Sequence, residues 1–211
     1  GDVHAHVISI FNQIFLLFLL LFAYKRWETI GVRGKWVVCI LSAISLGSMP
    51  LINTWDVLIY APVTLLFGAL ILWRNRDALR SIPSWLYLGS VPPLAILCYL
   101  PFYLQLQTHT EGIGIVNAPL SSSVPEFLLV NGLFIAIFVA VLHREILRRP
   151  YYLAAAVPFL ITGYFAAAVA IVPLVYFVVR RERDFPAILA AIGLAILVAC
   201  ELFYLKDNMG D

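Results

Sequence analysis

The sequence is poor in charge. Charged residues make up 12% of its 211 positions, about half the ~25% of an ordinary soluble domain. Apolar residues make up 63%, and the mean hydropathy is +0.95. A soluble globule of this size cannot hide so much apolar surface. This excludes a soluble enzyme, a disordered chain and a nucleic-acid binder. The net charge of +2 is too small to recruit a polyanion. Cysteine is scarce as well. Cys39, Cys98 and Cys200 lie far apart in apolar runs. They form no CxxC pair, no disulfide framework and no cysteine zinc site, and they read as small buried hydrophobes. There is no Walker loop, dinucleotide fingerprint or serine elbow, so ATP-driven transport by this chain alone is not expected.

What is present is a series of long apolar runs. A bilayer-crossing helix needs roughly 20 apolar residues. Runs at about 7–24, 36–52, 57–73, 85–103, 126–143 and 186–204 meet or approach that length. The tract 151–179 is long for one span and short for two. Gly163 divides it, with Pro158 and Pro173 on either side. Of the 14 Lys and Arg residues, all but Lys206 fall in four short loops. These hold Lys25, Arg26, Arg33 and Lys35; Arg74, Arg76 and Arg80; Arg144, Arg148 and Arg149; and Arg180, Arg181 and Arg183. Short basic loops stay cytoplasmic. All four share one side only if 151–179 crosses twice or dips in and returns. The expected fold is therefore all-α and polytopic, with about eight membrane segments in one transmembrane helical domain, 1–211. Both chain ends lie on the outer side. The start at Gly1-Asp2, with no basic leader or cleavage site, and the end at Gly210-Asp211 read as those of an internal piece of a longer multi-spanning protein.

This topology gathers the unusual polar residues on the extracytoplasmic face of a cell-membrane protein. Asp2, His4 and His6 alternate, so an extended segment points all three one way. If the segment is helical, Asp2, His6, Ser9 and Gln13 form a polar stripe entering the membrane. A carboxylate with two imidazoles suits a divalent metal such as Mg, Mn or Zn, or a general base oriented by its neighbours. A hydrated end with interfacial histidines is the alternative. At 52–56, Asn53 and Asp56 suit a turn and a favourable N-terminal charge, and Trp55 suits the aromatic belt. Glu201 lies inside the last apolar run, where an ionisable group is costly and by default a functional candidate. His109, Glu111, Gly112 and Gly114 occupy an outer loop, a lid or a plain connector. Ser123-Val-Pro-Glu126 reads as a capping box, His143 as a favourable helix-end cation, and Ala187, Ala191, Ala195 and Ala199 as a small-residue packing seam.

Four strings together resemble one family. They are Gly1-Asp2-Val3-His4-Ala5-His6; Asn53-Thr54-Trp55-Asp56 with Tyr60; Leu100-Pro101-Phe102-Tyr103; and Glu201-Leu202-Phe203-Tyr204-Leu205-Lys206-Asp207. They resemble the multi-spanning YYY membrane proteins, or DUF2298, of archaea and Chloroflexi. There the first string usually reads GDLHAH or GDLHPH, so Val3 is a mild departure. The last string usually continues into a basic NTVFKFY-like stretch. The resemblance covers nearly the whole chain and implies spans beyond both of its ends. It also implies a remote relation to the GT-C glycosyltransferases, which take sugar from a polyprenyl-phosphate donor at an outward-facing site. On that footing Asp2, Asp56 and Glu201 are the candidate catalytic residues, with Asp2 or Asp56 as base. Asp2, His4 and His6 are candidate metal ligands. Asn53, Trp55, His109, Glu111, Tyr204 and Asp207 are candidate substrate-binding residues. Lys206 alone offers outer positive charge, so the chain is expected to be inactive without the rest of its polypeptide. Two other classes stay open: a membrane transporter or channel, and a non-catalytic scaffold subunit. The expected partners are membrane lipids, the lipid-linked donor and the remaining parts of the same protein.

Overall fold

The computed structural model describes residues 5–75, 82–105, 110–180 and 184–207. They divide into two compact units, 1–107 and 108–211.

The first unit is helical throughout its described residues. Three long helices, α1 (Ala5–Arg26), α2 (Val32–Ile52) and α3 (Thr54–Arg74), run up, down and up. A fourth apolar run follows as three pieces: α4 (Ile82–Gly89), α5 (Val91–Cys98) and α6 (Leu100–Tyr103). The sequence reads 85–103 as one span, and its prolines break it. Pro92, Pro93 and Pro101 sit in the first turns of α5 and α6, where a missing N–H is harmless. Gly47 sets how closely α2 and α5 approach. A Cβ there would collide with the Ala95 carbonyl oxygen. The Gly47 carbonyl in turn accepts the Tyr103 hydroxyl at 3.0 Å.

Charge separates cleanly along this unit. At one end Lys35 lies over the Trp27 ring and Arg74 over Tyr24, at 5.1 and 4.8 Å from the ring centroids. Trp27 also packs edge-on against Tyr87. Cations over aromatic faces keep their stems in apolar surroundings and their heads toward water. The opposite end carries Ser9, Asn12, Gln13, Asn53 and Asp56.

The second unit contains α7 (Val124–Arg148), a 3₁₀ turn (Pro150–Ala156), α8 (Val157–Thr162), α9 (Phe165–Arg180) and α10 (Phe185–Leu202). The tract 151–179 is a helical hairpin. Its chain reverses at Gly163, which caps α8 at φ +87°, a conformation open to glycine at little cost. The arms lie side by side, with Tyr152 and Tyr176 ring to ring at 5.5 Å. Arg180 pairs with Glu145 near the end of α7, so both arms open at that end. The tip meets the other end, where Tyr164 donates to the Val116 carbonyl at 2.6 Å and Gly163 neighbours Ala118. The hairpin thus runs alongside α7 from its C-terminal end to the loop preceding its start. This is the there-and-back path that the basic loops require.

Among the described residues, five helices are long and apolar enough to cross a membrane: Ser9–Arg26, Val32–Ile52, Trp55–Arg74, Val124–Arg148 and Phe185–Leu202. Three shorter apolar helices, Pro83–Cys98, Pro150–Thr162 and Phe165–Arg180, accompany them. The boundaries match the sequence reading to within a few residues, and the capping box forms. Ser123 Oγ accepts the Glu126 N–H, and Glu126 accepts the Ser123 N–H.

The fold is all-α as expected, with one small strand pair that moves the end of the last run. Strands β1 (Thr110–Ile115) and β2 (Phe203–Asp207) pair antiparallel, so the last apolar run stops at Leu202 and Tyr204 and Asp207 lie in a strand. Of the cysteines expected to be buried, Cys39 is, but Cys98 and Cys200 are exposed on their helices. The alanine seam is also misplaced. Of its four residues Ala187 alone is buried, and α10 packs through Leu194, Val198 and Glu201. The buried small residues are Ala166, Ala167, Ala168 and Ala170 on α9. A helix apolar on every side carries no periodicity to choose its packed face.

Candidate functional site

The densest polar cluster surrounds Asp56. Its position follows from local sequence. Asn53 is the N-cap of α3, its side chain accepting the Trp55 N–H at 3.4 Å. That places Asp56 in the first turn, where the helix dipole favours a negative charge. Asp56 is only 6% exposed. Its Oδ1 accepts the Asn53 amide at 2.7 Å, and its Oδ2 accepts the Gln13 amide at 2.8 Å. Gln13 also donates to Ser9 Oγ at 2.8 Å and accepts the Tyr60 hydroxyl at 3.2 Å. Hydrogen bonds to a charged group contribute roughly 1.5–3 kcal/mol each, which offsets much of the cost of burying a carboxylate. A second set, Asn12 with Ser45 and Ser48, fixes α1 against α2 one step away along α1.

The structure therefore gathers Asn53, Asp56, Ser9 and Gln13, the last two from the stripe seen in the sequence. It adds Tyr60, whose role the spacing could have revealed, because residues i and i+4 share a helix face. Trp55 joins this cluster through its backbone N–H, which donates to Asn53, and is 38% exposed at the start of α3. The helix begins at Ala5, so the helical alternative applies to His6, Ser9 and Gln13. Asp2 and His4 lie outside the described residues, as does the side chain of His6. No group of three His, Cys, Asp or Glu that could hold a metal occurs among the described residues. The Asp56 oxygens are engaged by amide N–H groups, so this cluster by itself is a hydrogen-bonded carboxylate and not a ready metal cage.

Glu201 belongs to a different arrangement, in the second unit. It is 8% exposed at the end of α10, and its Oε2 accepts the Ser122 N–H at 3.1 Å. Nearby, the Val116 N–H donates to the Leu202 carbonyl at 2.9 Å. Strand β2 then continues the chain, with Gly112 opposite Lys206 and Gly114 opposite Tyr204. Thr110 faces Asp207, and Glu111 is the extra residue where the register shifts. Glu201 thus fastens the segment between β1 and α7, and Ser122, its donor, is a partner that no sequence spacing indicated. His109 lies outside the described residues, as do the side chains of Glu111 and Asp207. Tyr204 is half exposed on β2.

No curated protein and no solved structure matches the chain. The family model described as "Uncharacterized membrane protein (DUF2298)" matches residues 1–211. A family defined by membrane proteins accords with the five long apolar helices and with charges confined to helix ends. The chain belongs to the DUF2298 family of membrane proteins.

Proposed function

We propose that this chain forms the core of a membrane glycosyltransferase that takes sugar from a polyprenyl-phosphate donor on the extracytoplasmic face, with Asp56 as the base. The observation that supports this most is the buried Asp56 carboxylate, held by Gln13 and Asn53 beside Tyr60 at the end of α3 opposite Arg74. An acceptor hydroxyl loses its proton as it attacks the anomeric carbon, and an oriented carboxylate takes that proton. The bond from the anomeric carbon to the lipid phosphate breaks, and the phosphate leaves with the electron pair. Gln13 and Asn53 each hold one oxygen of the carboxylate, and Trp55 at the start of the same helix is a sugar-stacking candidate. Asp2, His4 and His6 are retained as the site of a divalent metal, which when bound supplies positive charge to the leaving phosphate. Glu201 serves as a positioning residue for the loop 116–123, through the Ser122 N–H.

The test uses the full-length protein in lipid nanodiscs with a radiolabelled polyprenyl-phosphate sugar and a panel of hydroxyl acceptors. Transfer is expected with the native protein. D56N is expected to lose it by about 10²-fold or more while keeping its helical circular dichroism. Full transfer by D56N overturns the assignment of the base. Solute uptake in proteoliposomes without transfer favours a transporter, and indifference to substitution of every one of these acids favours a scaffold.

A further inference from the structure

We propose that the groove between α7 and the 150–180 hairpin is a binding site for an acidic phospholipid, its acyl chain in the groove and its phosphate on the arginines at the mouth. The groove encloses about 300 Å³. It is lined on one side by Ile135, Phe138 and Leu147 of α7, and on the other by Leu153, Ala168 and Val172 of the hairpin. It exists because α9 offers small side chains where α7 offers large ones. Its lips, Val139, Leu147 and Leu153, are exposed. From Ile135 to Leu147 the groove follows about 18 Å of helix, close to the ~15 Å of one leaflet's hydrocarbon.

One end of the groove is polar, and that end is basic. His143 lines it, with its Nδ1 against the Val139 and Ala140 carbonyls at 3.1 and 3.0 Å. Arg148 and Arg180 meet Glu145 at this end, and Arg144 and Arg149 adjoin His143 and Arg148 in sequence. Glu145 is shared between Arg180 and Arg148, the latter at 3.4 Å with 75% of its side chain exposed. Arg149 is exposed as well. An apolar trough one leaflet deep, ending at under-neutralised arginines, has the chemistry of a lipid with two parts: a hydrocarbon chain and an anionic head. A second helix laid in the trough would match the apolar lining but would leave the arginines without counter-charge. The site is independent of the Asp56 reading, since it shares no residue with it.

The experiment measures lipid retained by the delipidated full-length protein in native mass spectrometry, with phosphatidylglycerol or phosphatidylcholine of identical chains added back. Phosphatidylglycerol is expected to be retained about fivefold or more over phosphatidylcholine. R148A/R149A, at two exposed positions, is expected to remove that preference while keeping the helical circular dichroism of the native protein. A168L, which fills the groove, is expected to lower retention of both lipids, and V139W at the lip does the same should A168L fail to fold. Equal retention of the two lipids by the native protein overturns the proposal. So does an unchanged preference in R148A/R149A, or displacement of the lipid by glycerol phosphate at equal concentration, which would mark a plain phosphate site.

Discussion

Asp56 is held by amides from two places, Asn53 three residues before it and Gln13 on another helix. The nearer bond is local. It follows from a cap residue and a first-turn acid, and it is readable from Asn-Thr-Trp-Asp. The farther one is not, because nothing in Gln13's neighbourhood names the helix it will face. This difference gives a testable contrast. Gln13→Leu leaves one carboxylate oxygen without its donor and an apolar group against it. It is expected to destabilise the protein by about 1–3 kcal/mol, read as a lower melting temperature in detergent. Gln13→Glu places a second acid against the first and is expected to be worse. Equal melting of Q13L and native protein would remove Gln13 from the site. Glu201 answers to the same reasoning in the second unit. Its partner is a backbone N–H, at Ser122, so no substitution of that residue's side chain replaces it. Glu201→Ala is expected to free the segment 116–123, seen as faster amide exchange there with little change in α7.

Among elements, the hairpin at 150–180 was legible from a glycine flanked by prolines in an overlong apolar tract. Gly163 sits at φ +87°, where an L side chain is strained by roughly 1–2 kcal/mol. Gly163→Ala is therefore expected to lower the thermal midpoint, even though a Cβ there would make only an ordinary contact with Ala118 at 3.4 Å. A midpoint equal to that of the native protein would mean that the reversal does not depend on the left-handed turn. Gly47 tests the opposite cause. Its conformation is ordinary, and its lack of a side chain matters because Ala95 is so close. The β1–β2 pairing was invisible in the sequence. Thr110–Ile115 and Phe203–Asp207 are separated by nearly the whole second unit, and two short strands, one of them with glycine at 112 and 114, give no period to read. The packed face of α10 escaped for a related reason, since a uniformly apolar helix has no polar side.

For the molecule as a whole, charge decides orientation. Among the described residues, the arginines and the lysines other than Lys206 sit at one end of each unit, and the carboxylates that are candidates for chemistry at the other. Short basic loops resist translocation. In a cysteine-free background, single cysteines at Trp55, exposed at the start of α3, and at Ser121 are accordingly expected to react with a membrane-impermeant maleimide on intact cells. Cysteines at Lys35 and Arg148 are expected to react only after permeabilisation. Labelling of positions 55 and 121 from opposite sides would undo the shared outer face on which the glycosyltransferase reading stands.

The sequence by itself determined the membrane class, the long apolar helices, the division of 151–179 at Gly163, the capping box at Ser123 and the charge asymmetry. Each depends on residues within a few turns of one another, or on transfer from water to hydrocarbon, which composition alone measures. Tertiary structure alone decided that Gln13 would reach Asp56, that Ser122 would take Glu201, which face of α10 would be buried, and that two distant strands would pair. Those are contacts between segments far apart along the chain. Apolar surfaces are interchangeable in where they can pack, so it is the few polar groups, each needing a partner once buried, that pick one arrangement from many.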